Sequence, residues 1–150
     1  LARRGVAVSI LRAPGIYGPD RLPLDRLKRA DPVLHRDEDV YTNHIDAADL
    51  GRLAWGALMR ARGGRAYNAS DDTRLAMGDY FDRVADAFAL PRPPRVTREE
   101  ARARLSPMML SFMNESRVLD NGRMKRELRV TLHRPDVDAV LAHALQTFQR

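Results

Sequence analysis

The chain has 150 residues, of which 44% are hydrophobic and 31% are charged, and its net charge is +6. Such a composition is typical of one globular domain with an ordinary core and excludes a mostly disordered chain. The sequence contains no cysteine, which excludes disulfides, thiol nucleophiles and thiolate metal sites and favours a cytoplasmic location.

The stretch from Gly5 to Asp20 holds the strongest strand signal. Residues Val6–Leu11 are almost continuously apolar, which predicts a strand buried on both faces, as inside a parallel sheet. The loop that follows, residues 13–19, contains two glycines and two prolines and can continue neither a strand nor a helix. Open α/β sheets bind ligands just outside the carboxyl ends of their strands. We therefore expect the functional site at this loop.

The next part of the chain predicts short elements. Leu22–Ala30 has the spacing of a short amphipathic helix. The extended segments Val33–His35 and Val40–Ile45 have the pattern of a β-hairpin. Asp46 stands at the N-cap position of a following helix, which the glycine pair at residues 63–64 is expected to end.

The second half of the chain is predicted to be mostly helical. Thr97 and Glu100 have the spacing of a capping box for a helix to about Leu105. The other predicted elements are strands at Arg65–Ala69 and Arg117–Leu119 and helices at Met77–Leu90, Asn121–Leu128 and from Pro135 onward. Only Val6–Leu11 has the pattern of a core strand, and a parallel strand needs neighbours that the sequence does not provide. Together with the start at Leu1–Gly5, which has no Met, this predicts the back half of a larger α/β protein.

Four stretches of the sequence carry a resemblance to a known family. They are SILRAPGIYGPD, TNHIDAADL, RAYNASDD before the helix MGDYFDRVADAF, and SRVLDNGRMKREL. In this order and spacing they resemble the C-terminal half of the extended short-chain dehydrogenase/reductases, the NAD-dependent epimerase/dehydratase family, over nearly the whole chain. The resemblance implies an α/β fold, the C-terminal part of a Rossmann-like doubly wound parallel sheet plus a small, mostly helical substrate-binding lobe.

The resemblance also implies a cofactor and a set of site residues. The cofactor of the intact protein would be NAD or NADP, and the small-molecule substrate would be hydroxylated, as sugar nucleotides are. In the family the loop after this strand passes the nicotinamide, which assigns cofactor contacts to Ala13, Pro14, Gly15 and Ile16. The positions that correspond to the substrate pocket, or to the tail that returns toward it, are Tyr17, Asn43, His44 and Arg123.

Two motifs of the family do not occur in the sequence. There is no glycine-rich GxxGxxG turn, and no tyrosine is followed four residues later by lysine. We therefore expect no catalytic residue in the chain itself, because it lacks the proton donor for hydride chemistry. The resemblance implies that the N-terminal half of the same protein is the partner that supplies both motifs, and that its helices can form a homodimer.

A second interpretation is a non-catalytic basic module that binds a nucleotide, nucleic acid or a protein partner. Nearly all the cations are arginines, and acids are interleaved with them along the chain. Because nucleic-acid binders concentrate their charge on one face, this pattern does not favour nucleic acid. The four histidines have no metal-ligand spacing, so no metal is predicted, and no apolar run is long enough for a membrane partner.

Overall fold

The computed structural model describes residues 5–148, so that Leu1–Arg4 of the predicted start lie outside the described residues. The chain divides into two compact units. The first comprises residues 5–18, 43–73 and 119–140, and the second comprises residues 19–42, 74–118 and 141–148. Between residues 5 and 148, none of the helices combines the length and the apolar character that crossing a bilayer requires.

The elements are short strands and somewhat longer helices. In chain order the strands are β1 (Ile10–Arg12), β2 (Gly15–Tyr17), β3 (Val33–Leu34), β4 (Tyr41–Thr42), β5 (His44–Asp46), β6 (Ala66–Asn68), β7 (Leu75–Ala76) and β8 (Arg95–Val96). The helices are α1 (Leu24–Lys28), α2 (Ala47–Arg60), α3 (Met77–Ala87), α4 (Arg98–Arg104), α5 (Pro107–Met113), α6 (Gly122–Leu128) and α7 (Val137–Phe148).

The first unit is organised around two pairs of parallel strands. Strand β1 pairs with β6, and β2 pairs with β5. Helix α2 connects β5 to β6 and packs on the core that α6 also covers. The side chains buried in this core include Ile45, Leu53, Tyr67, Met124 and Leu128. Burying each one contributes about 2 kcal/mol from the apolar surface removed from water.

The second unit has one parallel and one antiparallel strand pair. Strand β3 pairs with β8 in parallel, and β4 pairs with β7 in antiparallel orientation. The Arg95 guanidinium lies among three carboxylates and donates to Asp82 at 2.6 Å. The guanidinium occupies the space in which a Cβ at Gly78 would lie, and the Gly78 backbone N–H donates to Asp39 at 2.8 Å. Arg95 thereby links β8 to α3 and to the loop before β4.

The α/β class is confirmed, but the prediction of a strand at Val6–Leu11 is wrong in its bounds and in its burial. The strand occupies Ile10–Arg12, and the Ile10 side chain is 54% exposed. Among the described residues β1 pairs with β6 alone, so its other edge has no hydrogen-bonded neighbour. A strand is buried on both faces only when neighbouring strands and helices cover it, and the described residues cover one side of this one.

Two further strand predictions are also wrong. Val33–His35 and Val40–Ile45 form no hairpin, because β3 pairs with β8, β4 with β7 and β5 with β2. Arg117–Leu119 is not a strand. Instead, the Leu119 backbone N–H donates to the Asn43 side chain at 2.9 Å. In both cases the backbone hydrogen bonds go to residues far away in the sequence, whereas the local sequence pattern predicted bonds between nearby segments.

The helix starts were predicted well because capping is local. The Asp46 carboxylate accepts from the N–H groups of Ala48 and Asp49, both at 3.0 Å, as an N-cap does. Thr97 and Glu100 form the predicted capping box in both directions. Helix α2 ends at Arg60, before the glycine pair at 63–64, and only Gly64 has a positive φ, of 79°.

Candidate functional site

The carboxyl ends of β1 and β6 lie at the same edge of the first unit. Arg12 is in register with Asn68, and the next backbone N–H, that of Ala69, donates to the Arg12 carbonyl at 2.9 Å. The segments that follow β1 and β6 therefore leave the strand pair side by side. One continues into Ala13, and the other leads to Asp71. This is the position at which open α/β sheets bind ligands.

Gly15 allows a close approach of β2 to β5. Its backbone N–H donates to the Asn43 carbonyl at 3.2 Å, and it stands in register with His44. A Cβ added at Gly15 would lie 3.1 Å from His44 Cδ2 and 3.3 Å from the Asn43 oxygen. The need for glycine here thus has an internal cause, the packing of two strands, in addition to any ligand.

Tyr17 is buried behind the exposed loop. Its side chain is 2% exposed, and its hydroxyl donates a hydrogen bond to Asp71 Oδ2. Its ring stacks on the His44 imidazole, with 4.9 Å between the centroids and 19° between the planes. The Asp71 backbone N–H in turn donates to the His44 carbonyl at 2.8 Å. We call these three residues the Tyr17–His44–Asp71 cluster.

Burial changes the proton affinity of both ionisable partners of Tyr17. Desolvation raises the pKa of the Asp71 carboxyl to about 6, against hydrogen bonds from Tyr17 and Thr73 that act to lower it. Desolvation also lowers the pKa of His44 to about 4. At pH 7 the imidazole is therefore neutral, and the carboxyl titrates close to neutral pH.

Asn121 fastens the loop that carries Asp71. Its amide nitrogen donates to the carbonyls of Ser70 and Asp71, at 2.9 and 3.0 Å, and to the Asp72 carboxylate at 2.8 Å. Lys125, on α6, forms an ion pair with the same Asp72 carboxylate. The start of α6 thus positions the loop that follows β6.

The residues assigned to the cofactor lie together at the surface of the first unit. Ala13, Gly15 and Ile16 are exposed, and Pro14 is half-buried. None of the four carries a charge, so they present an apolar surface at the edge described above.

The residues assigned to the substrate are divided. Tyr17 and His44 are in the cluster, and half-buried Asn43 immediately precedes it. Arg123 is exposed and donates to the carbonyl of Ala66, the first residue of β6, at 3.1 Å. That is the opposite end of the strand from the edge where the other residues meet.

The comparisons with known proteins point to one family. The sequence matches no protein-family model and no curated protein. Of the solved structures, a functionally unknown protein from Silicibacter pomeroyi shares 29% identity and a TM-score of 0.81 over 93% of this chain and 49% of its own. A nucleoside-diphosphate-sugar epimerase from Pseudomonas aeruginosa shares 25% identity and a TM-score of 0.76 over 99% of this chain and 50% of its own. A human epimerase family protein solved with NADPH shares 12% identity and a TM-score of 0.74 over 92% of this chain and 48% of its own.

The chain has the fold of the C-terminal half of an extended short-chain dehydrogenase/reductase. The predicted resemblance to this family and the Rossmann-like fold class are thereby confirmed, and the chain spans about half the length of these relatives. The Tyr17–His44–Asp71 cluster joins the end of β2 and the start of β5 to the loop after β6. Among the described residues no group of three His, Asp or Glu side chains could hold a metal ion.

Sequence reasoning missed Asp71 and Asn121 as site residues. The acidic pair Asp71-Asp72 has the composition of a solvated turn, yet Asp71 is 4% exposed. The available signal was its position, three residues after a strand, which in a parallel sheet brings a side chain to the ligand-binding edge. No local pattern marked Asn121, whose partners are about 50 residues away in the sequence.

Proposed function

We propose that the chain is the substrate-binding and nicotinamide-proximal portion of a cytoplasmic NAD(P)-dependent epimerase, dehydratase or reductase. Its substrate would carry a hydroxyl group, and nucleoside-diphosphate sugars are the class that the name of the Pseudomonas relative suggests. The observation that carries the proposal is the exposed apolar loop at the carboxyl end of β1, in a chain that aligns over nearly all its length with half of that relative.

Ala13, Pro14, Gly15 and Ile16 would contact the cofactor. An uncharged, partly apolar wall fits the edge of a nicotinamide ring, which needs close packing more than ionic contacts. Gly15 keeps the backbone of β2 against β5, so the loop has a fixed position before any ligand arrives. When bound, the cofactor supplies the hydride acceptor or donor.

Tyr17, Asn43, His44 and Arg123 are the proposed substrate residues. Asn43 and His44 would face the substrate from the start of β5, and Arg123, at the opposite end of β6, would supply a cation for an anionic substrate group away from them. Tyr17 is 2% exposed, so we assign it a positioning role: its hydroxyl ties the loop after β1 to Asp71. The chain itself would bind and orient, while the partner half supplies the proton donor.

The N-terminal half of the same protein is the proposed partner, and we propose that it docks on the open edge of β1. Strands β1 and β6 are parallel neighbours, and α2 lies in the connection between them. Parallel crossovers are right-handed, so a strand that precedes β1 and pairs with its open edge would place its own helix on the same face as α2. That helix would lie beside α2.

A groove between residues 7–11 and α2 lies at this proposed docking site. It has a volume of about 400 Å³. Its walls are small or apolar residues, among them Ala7, Val8 and Leu11 on one side and Ala54, Leu58 and Ala61 on the other. Leu58 is 80% exposed and adds to the apolar surface that a partner could cover here.

A chimera tests the proposed function. The half of the Pseudomonas epimerase that this chain does not cover would be fused ahead of Gly5, and NADPH binding would be followed by the fluorescence of the nicotinamide. We expect saturable binding, and we expect Ala13→Glu to weaken it at least tenfold because a carboxylate would enter the apolar wall. Ala103→Glu, at an exposed position of α4, is the matched control and should stay within twofold.

Two outcomes would contradict the proposal. One is a folded chimera that binds neither NADPH nor NADH. The other is equal weakening by both glutamate substitutions, which would remove any special role of the loop after β1.

A further inference from the structure

A second cleft of the first unit lies on the side of α2 opposite to the groove. Positions 54, 57 and 58 of α2 and position 61, just after it, face the groove, whereas positions 52, 55 and 60 line the cleft. At 3.6 residues per turn these two sets point in nearly opposite directions. The cleft therefore stays open when a partner occupies the groove. Its volume is about 580 Å³, within the range of small-molecule sites.

The walls of the cleft are cationic. The polar and aromatic side chains that line it are Arg52, Trp55, Arg60, Arg129, Thr131 and His133, and no acid is among the lining residues. Arg60 and Arg129 have no acidic partner within residues 5–148. Two guanidinium groups beside one cleft, without a counterion from the protein, attract an anion.

The third arginine is held in place by a buried acid. Arg52 forms an ion pair with Asp49, which is fully buried. The same carboxylate accepts backbone hydrogen bonds from His133 at 3.0 Å and Arg134 at 2.9 Å. Asp49 thus fixes both walls of the cleft, α2 and the segment after α6, at a set separation. The two backbone walls of the cleft are therefore held together by a buried carboxylate.

Two further features of the walls are the exposed indole of Trp55 and the left-handed backbone of Arg129. Trp55 is 67% exposed, although an indole is the side chain that gains most from burial. Arg129 has a left-handed backbone, with φ of 52°, at the residue after α6, where glycine is the favoured residue. An exposed indole is a platform on which a planar base stacks, and guanidinium groups bind phosphate oxygens.

We propose that this cleft binds a nucleotide, with the base stacked on Trp55 and the phosphates held by Arg60 and Arg129. The site is separate from the loop after β1 and does not depend on the proposed enzymatic function. Its ligand class is a nucleoside mono- or diphosphate, which combines the planar ring and the anionic group that the walls accept.

The fluorescence of the chain itself reports on the site, because Trp55 is its single tryptophan. We expect ADP to quench this fluorescence saturably, and pyrophosphate to compete with it. The double substitution Arg60→Gln/Arg129→Gln should raise the ADP dissociation constant at least tenfold. Arg102→Gln/Arg104→Gln, which removes two exposed arginines of α4, is the matched control and should leave it within twofold. Calorimetric titration with pyrophosphate provides a readout that does not depend on the indole.

Three outcomes would overturn the proposal. The first is a folded chain whose fluorescence and heat show no saturable response to ADP. The second is an equal loss of ADP affinity in the two double-arginine variants, which would indicate that ADP is attracted by net charge alone. The third is a far tighter response to a ten-residue thymidine oligonucleotide than to ADP, which would assign the cleft to a nucleic-acid strand.

Discussion

At the scale of single residues, the Tyr17–His44–Asp71 cluster carries two proton equilibria of opposite sign. The folded state raises the pKa of Asp71 from 3.8 to about 6, so its contribution to stability is present below pH 3.8 and lost as the pH rises through 6. The folded state lowers the pKa of His44 from 6.5 to about 4, so its contribution is present above pH 6.5 and lost as the pH falls through 4. Between pH 4 and 6.5 the two trends largely cancel.

Single substitutions should separate the two trends. In Asp71→Asn, His44 is the only one of the two groups that still titrates, so its contribution to the free energy of unfolding should rise by up to about 3 kcal/mol from pH 4 to 6.5. In His44→Gln only Asp71 titrates, and the same free energy should fall by a similar amount. Urea denaturation at a series of pH values measures both slopes. The wild-type chain, nearly flat over this range, is the reference, and equal slopes in all three proteins would contradict the assignment.

At the scale of elements, two helical glycines, one in the first turn of α3 and one within α2, should respond to alanine in opposite ways. A Cβ at Gly78, in α3, would overlap the Arg95 guanidinium, which cannot move away without leaving Asp82 and Asp39. We expect Gly78→Ala to cost about 3 kcal/mol, since it disturbs a half-buried ion network. A Cβ at Gly51, in α2, meets no atom within 4 Å, so Gly51→Ala should stabilise the chain by about 0.5–1 kcal/mol through helix propensity.

Denaturant midpoints of the two glycine variants give the test. If Gly78→Ala proves as stable as Gly51→Ala, the Arg95 side chain is free to rearrange and the network does not hold β8 to α3. In the double variant Gly78→Ala with Arg95→Ala the overlap is absent. Its free energy of unfolding should therefore show only the loss of the Arg95 ion pairs.

The elements also show which parts of the fold the sequence could predict. Helix starts depend on side chains within three residues, so Asp46 and Thr97 were read correctly. Strand pairing depends on distant partners: β3 finds β8 about 60 residues later, and two-residue strands carry no pattern that names a partner. The candidate site has the same limit. The break after β1 was predictable from Pro14, but residues 15–17, which the sequence predicted as loop, form strand β2 because they pair with the distant β5. The burial of Asp71 likewise depends on Tyr17, 54 residues away.

At the scale of the whole molecule, two of the exposed apolar side chains lie where we propose that the N-terminal half docks. Ile10 and Leu58 are 54% and 80% exposed and flank the open edge of β1 and the groove beside α2. The family resemblance predicted the partner. It did not predict which side chains are exposed without that partner, because this depends on which face of α2 packs on the core.

A substitution at Leu58 tests this docking site by comparing the isolated chain with the chimera. In the isolated chain Leu58→Glu should change the free energy of unfolding by less than about 0.5 kcal/mol, since the side chain is 80% exposed. In the chimera with the Pseudomonas half the same substitution should cost about 2–4 kcal/mol, because it would bury an unpaired carboxylate under the neighbouring helix. Met108→Glu, at a position 72% exposed on α5, is the control and should have little effect in either context. Equal effects of Leu58→Glu in the two proteins would mean that the N-terminal half docks elsewhere, and the geometry inferred from right-handed crossovers would have to be abandoned.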